Sequence, residues 1–296
     1  MIVDQEQAKP VAAAPEETRP AARPAAVTRI EAARRWPHVN VRELWEYREL
    51  LYFLVWRDIK VVYKQTAIGM AWAILQPLTT MVVFTFVFKG IADVPSDGLP
   101  YPVFAYTALL PWNLMAGALN RSTASLVSQS NLISKVYFPR LLVPLSATMS
   151  GVVDFSIAML ILVAMMVWFG IVPGWGALML PALIVLALAA ALSVGLWLSA
   201  LNVKYRDVGH GVPFLIHVWM FASPVAYPVS EVPESWQYLY RFNPMVGVIE
   251  GFRWALLGKD QPDFAAMAVT AVMVAVLLVG GLFYFKRMEE TFADVV

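Results

Sequence analysis

Two charged side chains stand where charge is costly. Arg121 is the only ionisable Asp, Glu, Lys or Arg between residues 102 and 126, and Asp154 is the only one between residues 145 and 169. Both segments are long and apolar. An ionised group at the centre of a bilayer costs about 3 kcal/mol or more unless it is paired or hydrated. Segments that run antiparallel would bring these two together inside a bundle as an ion pair. Such a pair is either a structural cross-link or a contact that breaks as the bundle opens, and the pattern favours the cross-link. One carboxylate and one guanidinium make a poor acid–base set, and no second carboxylate or histidine cluster accompanies them.

Other catalytic signatures are missing. There is no G-x-x-x-x-G-K-S/T phosphate loop, no H-E-x-x-H and no G-x-S-x-G. Cysteine is absent, which excludes thiolate catalysis, disulfides and Cys-based metal sites. The three histidines, His38, His210 and His217, fall in unrelated places, and His217 reads as a hydrogen-bonded interior residue. No metal site is expected. Aromatic residues are the second chemical signal: Trp72, Phe84, Phe86, Tyr106, Trp112, Trp219, Phe221 and Tyr227 all fall in apolar segments. Sugar rings present C–H faces that stack on such surfaces. Trp and Tyr also mark membrane interfaces, and Phe is ordinary packing. Position assigns Tyr106 and Tyr227 to the interface and leaves Trp72 and Trp219 balanced between the two roles.

The elements that must position these residues are membrane helices. Residues 155–203 contain no Asp, Glu, Lys or Arg, enough for two crossings around a hairpin at residues 170–176. A crossing needs about 20 apolar residues, because the backbone polar groups must be satisfied within the segment. Apolar residues make up 59% and charged residues 15% of the 296, against roughly 45–50% and 25% in soluble domains. The net charge of +1 gives no argument for nucleic acid.

Charge gaps place six spans at about 66–88, 102–126, 145–169, 178–201, 208–227 and 264–285. The fold class is thus all-α, a six-span domain over residues 65–296. Residues 1–36, rich in Ala and Pro, read as a disordered tail without a signal peptide's apolar core. Residues 40–64 read as an amphipathic interface helix. Asn40 and Glu43 would cap it, Leu44, Tyr47, Leu51, Leu54, Ile59 and Val62 give the apolar spacing, and Trp45 and Trp56 suit the headgroup level. Lys135, Arg140, Lys204, Arg206, Lys286 and Arg287 cluster on the side of this helix, so both termini are expected in the cytoplasm. The opposite side carries one long segment, 229–263. In it Met245, Val248, Ile249, Phe252 and Leu256 share a helical face, with Glu250 and Arg253 elsewhere. It reads as one or two short helices re-entering the outer leaflet, or as a helix lying flat on the interface.

Several motifs in fixed order carry a resemblance: Arg57-Asp58-Ile59-Lys60-Val61-Val62-Tyr63-Lys64-Gln65-Thr66, then Gly69, Trp72 and Leu75-Gln76-Pro77. Leu110-Pro111-Trp112, the run from Asn131 to Arg140, Asn202-Val203-Lys204-Tyr205-Arg206-Asp207, Ser223-Pro224 and Asn243-Pro244-Met245 complete it. From Trp45 to about Arg287 the chain resembles the membrane subunit of type-2 ABC exporters of lipid-linked polysaccharides such as O-antigen, capsular glycan or teichoic acid precursors. The resemblance implies a homodimer in a bacterial cytoplasmic membrane, served by two copies of a separate ATPase subunit that holds ATP and Mg²⁺. It places the ATPase contact at Arg42, Arg57, Asp58, Ser134, Lys135, Phe138, Pro139 and Arg140, and an outer gate at Pro244, Met245 and Phe252. With it, Arg57, Lys60 and Lys64 become candidates for a lipid pyrophosphate or simple positive-inside anchors, and Trp72, Phe84, Trp112, Trp219 and Phe221 candidates for channel aromatics. Pro77, Pro111 and Pro224 would kink spans. The alternatives are a type-2 exporter of drugs or simple lipids and, from another class, an intramembrane glycosyl- or acyltransferase.

Overall fold

The computed structural model describes residues 41–64, 70–258 and 264–295. The expected tail 1–36 and the capping residue Asn40 lie outside them. Among the described residues all regular structure is helical. Helices α1 (Val41–Glu46) and α2 (Arg48–Lys64) replace the single interface helix, separated by a turn at Tyr47 across which backbone bonds continue, Tyr47 N to Glu43 O and Leu51 N to Tyr47 O. One stripe of the expected apolar spacing faces protein: Leu54 is buried in a core cluster against which Leu44, Tyr47, Leu50 and Leu51 also pack. The spacing extended that stripe to Val62, which is exposed. Trp45, Tyr52, Phe53 and Trp56 form a second, open apolar stripe where much of the surface was expected to be charged.

Among the described residues four segments are long and apolar enough to cross a membrane: Ala71–Ile91, Leu142–Trp168, Trp175–Lys204 and Phe264–Glu289. The first joins α3 (Met70–Phe84) to a π-helical stretch, Thr85–Ile91. Helix α4 (Tyr101–Ser128) follows, with 28 residues. It spans about 42 Å at 1.5 Å per residue, yet it is not apolar enough to join the four. The reason is its position. It packs against α3 and six later helices at the centre of the bundle, and a helix covered by protein needs no lipid-compatible surface. Short α5 (Ser130–Lys135) leads to the second crossing, where α6 (Leu142–Met149) and α7 (Val152–Trp168) meet at a break over Ser150 and Gly151. Helix α8 (Leu180–Lys204) packs along α4 and along α12 (Phe264–Val295), and α9 (Asp207–Phe221) follows.

Helix α9 is shorter than the segment anticipated at 208–227. Its 15 residues span about 22 Å, less than a hydrocarbon core of about 30 Å. After Phe221 the chain turns: Ser223 Oγ donates back to Trp219 O at 2.9 Å, and Pro224 has no N–H to continue the ladder. Pro224 therefore lies beyond a helix end and kinks nothing, whereas Pro77 and Pro111 sit inside α3 and α4.

The long segment holds two short helices, α10 (Glu234–Tyr240) and α11 (Pro244–Leu257). Every residue of α11 except Glu250 is buried, against α4, α8 and α12. It does not lie flat on a surface. Gly258, at φ 67°, ends it in the left-handed conformation that a side chain would resist.

Candidate functional site

A groove of about 510 Å³ runs along one face of the bundle. Its walls come from α3 (Trp72, Gln76, Thr80), α4 (Trp112, Asn113, Asn120, Arg121), α7 (Asp154, Phe155), α9 (Ile216, His217) and the end of α2 (Val62, Tyr63). Arg121 and Asp154 are the charged members of this lining. The rest combines neutral amides, hydroxyls and rings with aliphatic side chains such as Leu109, Leu114 and Met220, a surface that can hydrogen-bond and stack.

The end of the groove near α2 is built around the two charges. Tyr63 donates from its phenol to Asp154 Oδ1. Asp154 Oδ2 lies 3.8 Å from Arg121 Nη1, an ion pair beyond hydrogen-bond length. Arg121 Nε donates to the Ala147 carbonyl at 3.3 Å, just before the α6–α7 break. The guanidinium fits because glycine faces it on both sides. A Cβ on Gly151 would sit 2.0 Å from Nη2, and one on Gly117 would sit 3.3 Å from both Nη atoms. Burial, reinforced by the hydrogen bond to Asp154, raises the Tyr63 phenol above its ordinary range, so it stays a donor.

At the other end, Trp112 and Trp219 meet edge to face at 5.9 Å. Trp219 Nε1 donates to Asn243 Oδ1 at 2.9 Å. Asn243 also caps α11 by accepting from Met245 N at 3.0 Å, and its Nδ2 donates to Ala222 O and Ser223 Oγ, both at 2.9 Å. One side chain thereby fixes the α9–α10 turn, the start of α11 and the tryptophan that packs on Trp112.

The structure scatters the aromatics that sequence grouped together. Trp72 and Trp112 line the groove and Trp219 packs on Trp112. Phe84 is buried, edge-on to Phe88 at 5.2 Å, and Phe221 is exposed beyond the groove. Tyr106, expected at the interface, is fully buried and donates to Ala158 O at 3.3 Å. Its helix is the central one, so its depth in the chain says nothing about contact with headgroups. Tyr227 is half-buried and donates to Phe221 O at 2.8 Å. His217, expected in the interior, is exposed on the groove, its Nδ1 2.6 Å from Pro213 O one turn earlier.

The residues assigned to ATPase contact divide by environment. Arg42, Ser134 and Lys135 are exposed, and Arg42 pairs with Glu46 at 3.4 Å. Arg57 and Asp58 pair with each other at 2.8 Å. Phe138 and Pro139 are buried. Arg140 turns inward: its backbone N–H reaches Glu289 Oε1 at 3.3 Å, and its guanidinium donates to the Glu289 carbonyl. Lys60 lies over the Trp56 ring at 5.2 Å and Lys64 is exposed, and with Arg57 neither is part of the groove lining. Pro244, Met245 and Phe252 are buried, Phe252 edge-on to Phe155 at 6.0 Å.

Three residues had escaped the sequence reading. Tyr63 stood within a quoted motif without a role, and Asn243 was noted only as part of Asn-Pro-Met. Arg253 was placed off the buried face, yet it is 5% exposed, its guanidinium 3.6 Å from the Phe104 ring centroid. Its Nη1 donates to Glu250 Oε1 at 2.9 Å and its Nη2 to Val225 O at 3.3 Å. The Glu250–Arg253 spacing of three was the available signal for this pair.

Residues 49–257 match the model of a family described as ABC-2 type transporter. The O-antigen export system permease protein RfbA of Myxococcus xanthus is 28% identical over 260 residues, covering 86% of this chain and 98% of the relative. A protein of the same name from Klebsiella pneumoniae is 26% identical over 252 residues, covering 84% and 95%. The polysialic acid transport protein KpsM of Escherichia coli is 23% identical over 249 residues, covering 79% and 91%.

Proposed function

From the membership of this chain in the ABC-2 type transporter family, we propose that it is the membrane permease of an exporter for a lipid-linked polysaccharide of the O-antigen class. The observation that carries this reading is similarity, over 84–86% of this chain, to permeases named for O-antigen export, on a chain whose groove offers rings and neutral hydrogen-bonding groups among its aliphatic side chains. Such a lining suits a polyhydroxylated chain, which must slide past without being held.

In this reading residues 65–296 form the transport domain and cross a bacterial inner membrane six times. The four apolar segments are joined by α4, shielded by its neighbours, and by α9 with the turn that follows it. Both termini face the cytoplasm. Two copies form the pathway, and two ATPase subunits, which carry ATP and Mg²⁺, dock against α1, α2 and residues 130–140. Exposed Ser134 and Lys135 suit that contact. Arg140 supports it from within by bracing the loop on α12. Helices α10 and α11 re-enter the outer leaflet as a gate, and the burial of α11 in protein satisfies the condition for such a segment. The chain catalyses no reaction itself.

Deleting the gene and locating lipid-linked glycan tests this. Accumulation on the cytoplasmic face is expected. Loss of the glycan itself would assign the protein to synthesis and overturn the proposal.

A further inference from the structure

The contact between Tyr63 and Asp154 joins α2, on the surface, to the floor of the groove. We infer that Tyr63 is a positioning residue: through Asp154 it sets the place of Arg121, and this three-residue link carries displacement of α2 into the groove. The inference rests on the transport reading above, which supplies the reason for α2 to move.

Four elements converge here. Tyr63 belongs to α2, Asp154 to α7, and Arg121 to α4, and the Ala147 carbonyl bonded by Arg121 lies in the last turn of α6. Leu50, Leu51 and Leu54 pack α2 on the bundle through apolar contact. Apolar contact is non-directional and lets a helix shift at little cost. A phenol–carboxylate hydrogen bond is directional and does not.

The link also has two arrangements available. Asp154 gives one oxygen to Tyr63, while its other oxygen stays 3.8 Å from the guanidinium, short of a hydrogen bond. If α2 moves away with Tyr63, the carboxylate is free to close on Arg121. Gly117 and Gly151 leave the guanidinium a smooth seat, and its Nε bond holds the carbonyl three residues before the α6–α7 break. A change of partner by Asp154 therefore alters the charged floor of the groove and the joint between two helices together. A transmission claim needs such a two-state element, and this triad supplies one.

The chain has no cysteine, so a single introduced thiol reports without background. Asn113 lines the groove two turns along α4 from Arg121. In the full transporter, reconstituted with its ATPase subunits, Asn113→Cys is labelled by a water-soluble maleimide with and without a non-hydrolysable ATP analogue. Nucleotide is expected to change the labelling rate at least about fivefold, about 1 kcal/mol in accessibility. Tyr63→Phe, which keeps the ring and removes only the donor, is expected to reduce that change to less than twofold. Asp154→Asn should do the same, and the double variant should be no worse than either alone. An unaltered nucleotide response in Tyr63→Phe would overturn the inference and leave a static cross-link. Absence of any response with Tyr63 intact would overturn it as well. A normal response, lost in Tyr63→Phe, in a transporter that moves no glycan would strike the proposed cargo and leave the link standing.

Discussion

The two ends of the bundle hold their polar groups differently. Near α10 and α11, Asn243 makes four contacts between 2.9 and 3.0 Å, and Arg253 is sealed between Phe104, Glu250 and the Val225 carbonyl. Near α2, Arg121 and Asp154 stand 3.8 Å apart on an open groove. In a low-dielectric interior a densely bonded network has one geometry and each broken contact is expensive, even though Arg253 Nε itself is buried without a hydrogen-bond partner. A loose pair beside water has more than one geometry and little to lose. Rigidity is thus concentrated where α11 enters the bundle, and adaptability where a surface helix meets it.

Substitutions can sharpen that contrast. The largest loss is expected for Arg253→Ala, which leaves a void beside Phe104 and strands Glu250. About 3 kcal/mol of stability should go, read as a lower denaturation midpoint in detergent, and a neutral result would deny the seal. Asn243→Ala should cost about 2 kcal/mol through the lost cap and the freed tryptophan N–H, with a shift in Trp219 fluorescence. Gly151→Ala should cost about 1–2 kcal/mol, because the new methyl meets Arg121 Nη2. Combining it with Arg121→Ala should cost less than the sum, as expected for groups that collide. The smallest change is expected outside both networks, at the exposed pair Lys89–Asp93, 2.6 Å apart. The Lys89 ammonium holds the Asp93 carboxyl below the usual carboxylate range. Its contribution is present above the ordinary Asp value near pH 4 and fades as pH falls through the depressed one. Asp93→Asn should lower the midpoint at pH 7 by less than any of the changes above, and the variant and the parent should converge as the pH falls through the depressed value.

Legibility followed the source of the constraint. The charge-free run of residues 155–203 reports directly on the solvent around the helix, and the structure builds its helices there. The meeting of Arg121 with Asp154 followed from their charge and from antiparallel direction, both local properties. Arg253 shows the opposite case. Periodicity placed it off the apolar face, but α4, α8 and α12 enclose α11 on all sides, and an enclosed helix has no outer face to assign. The same enclosure misplaced Tyr106 and kept α4 from the hydropathy of a lipid-facing crossing. Tyr63 was unreadable as a partner for Asp154, since the contact joins positions 91 apart in the chain.

The π-helical stretch Thr85–Ile91 closes with Ala92 N bonded to Val87 O, five residues back. A wide turn of this kind stores one residue more than an α-helical path of equal rise. Removing a single residue there would let the segment tighten to an α-helical turn and leave what lies beyond it close to its present direction. The crossing therefore carries one place where the chain can lose a residue and still deliver α4 to the same position.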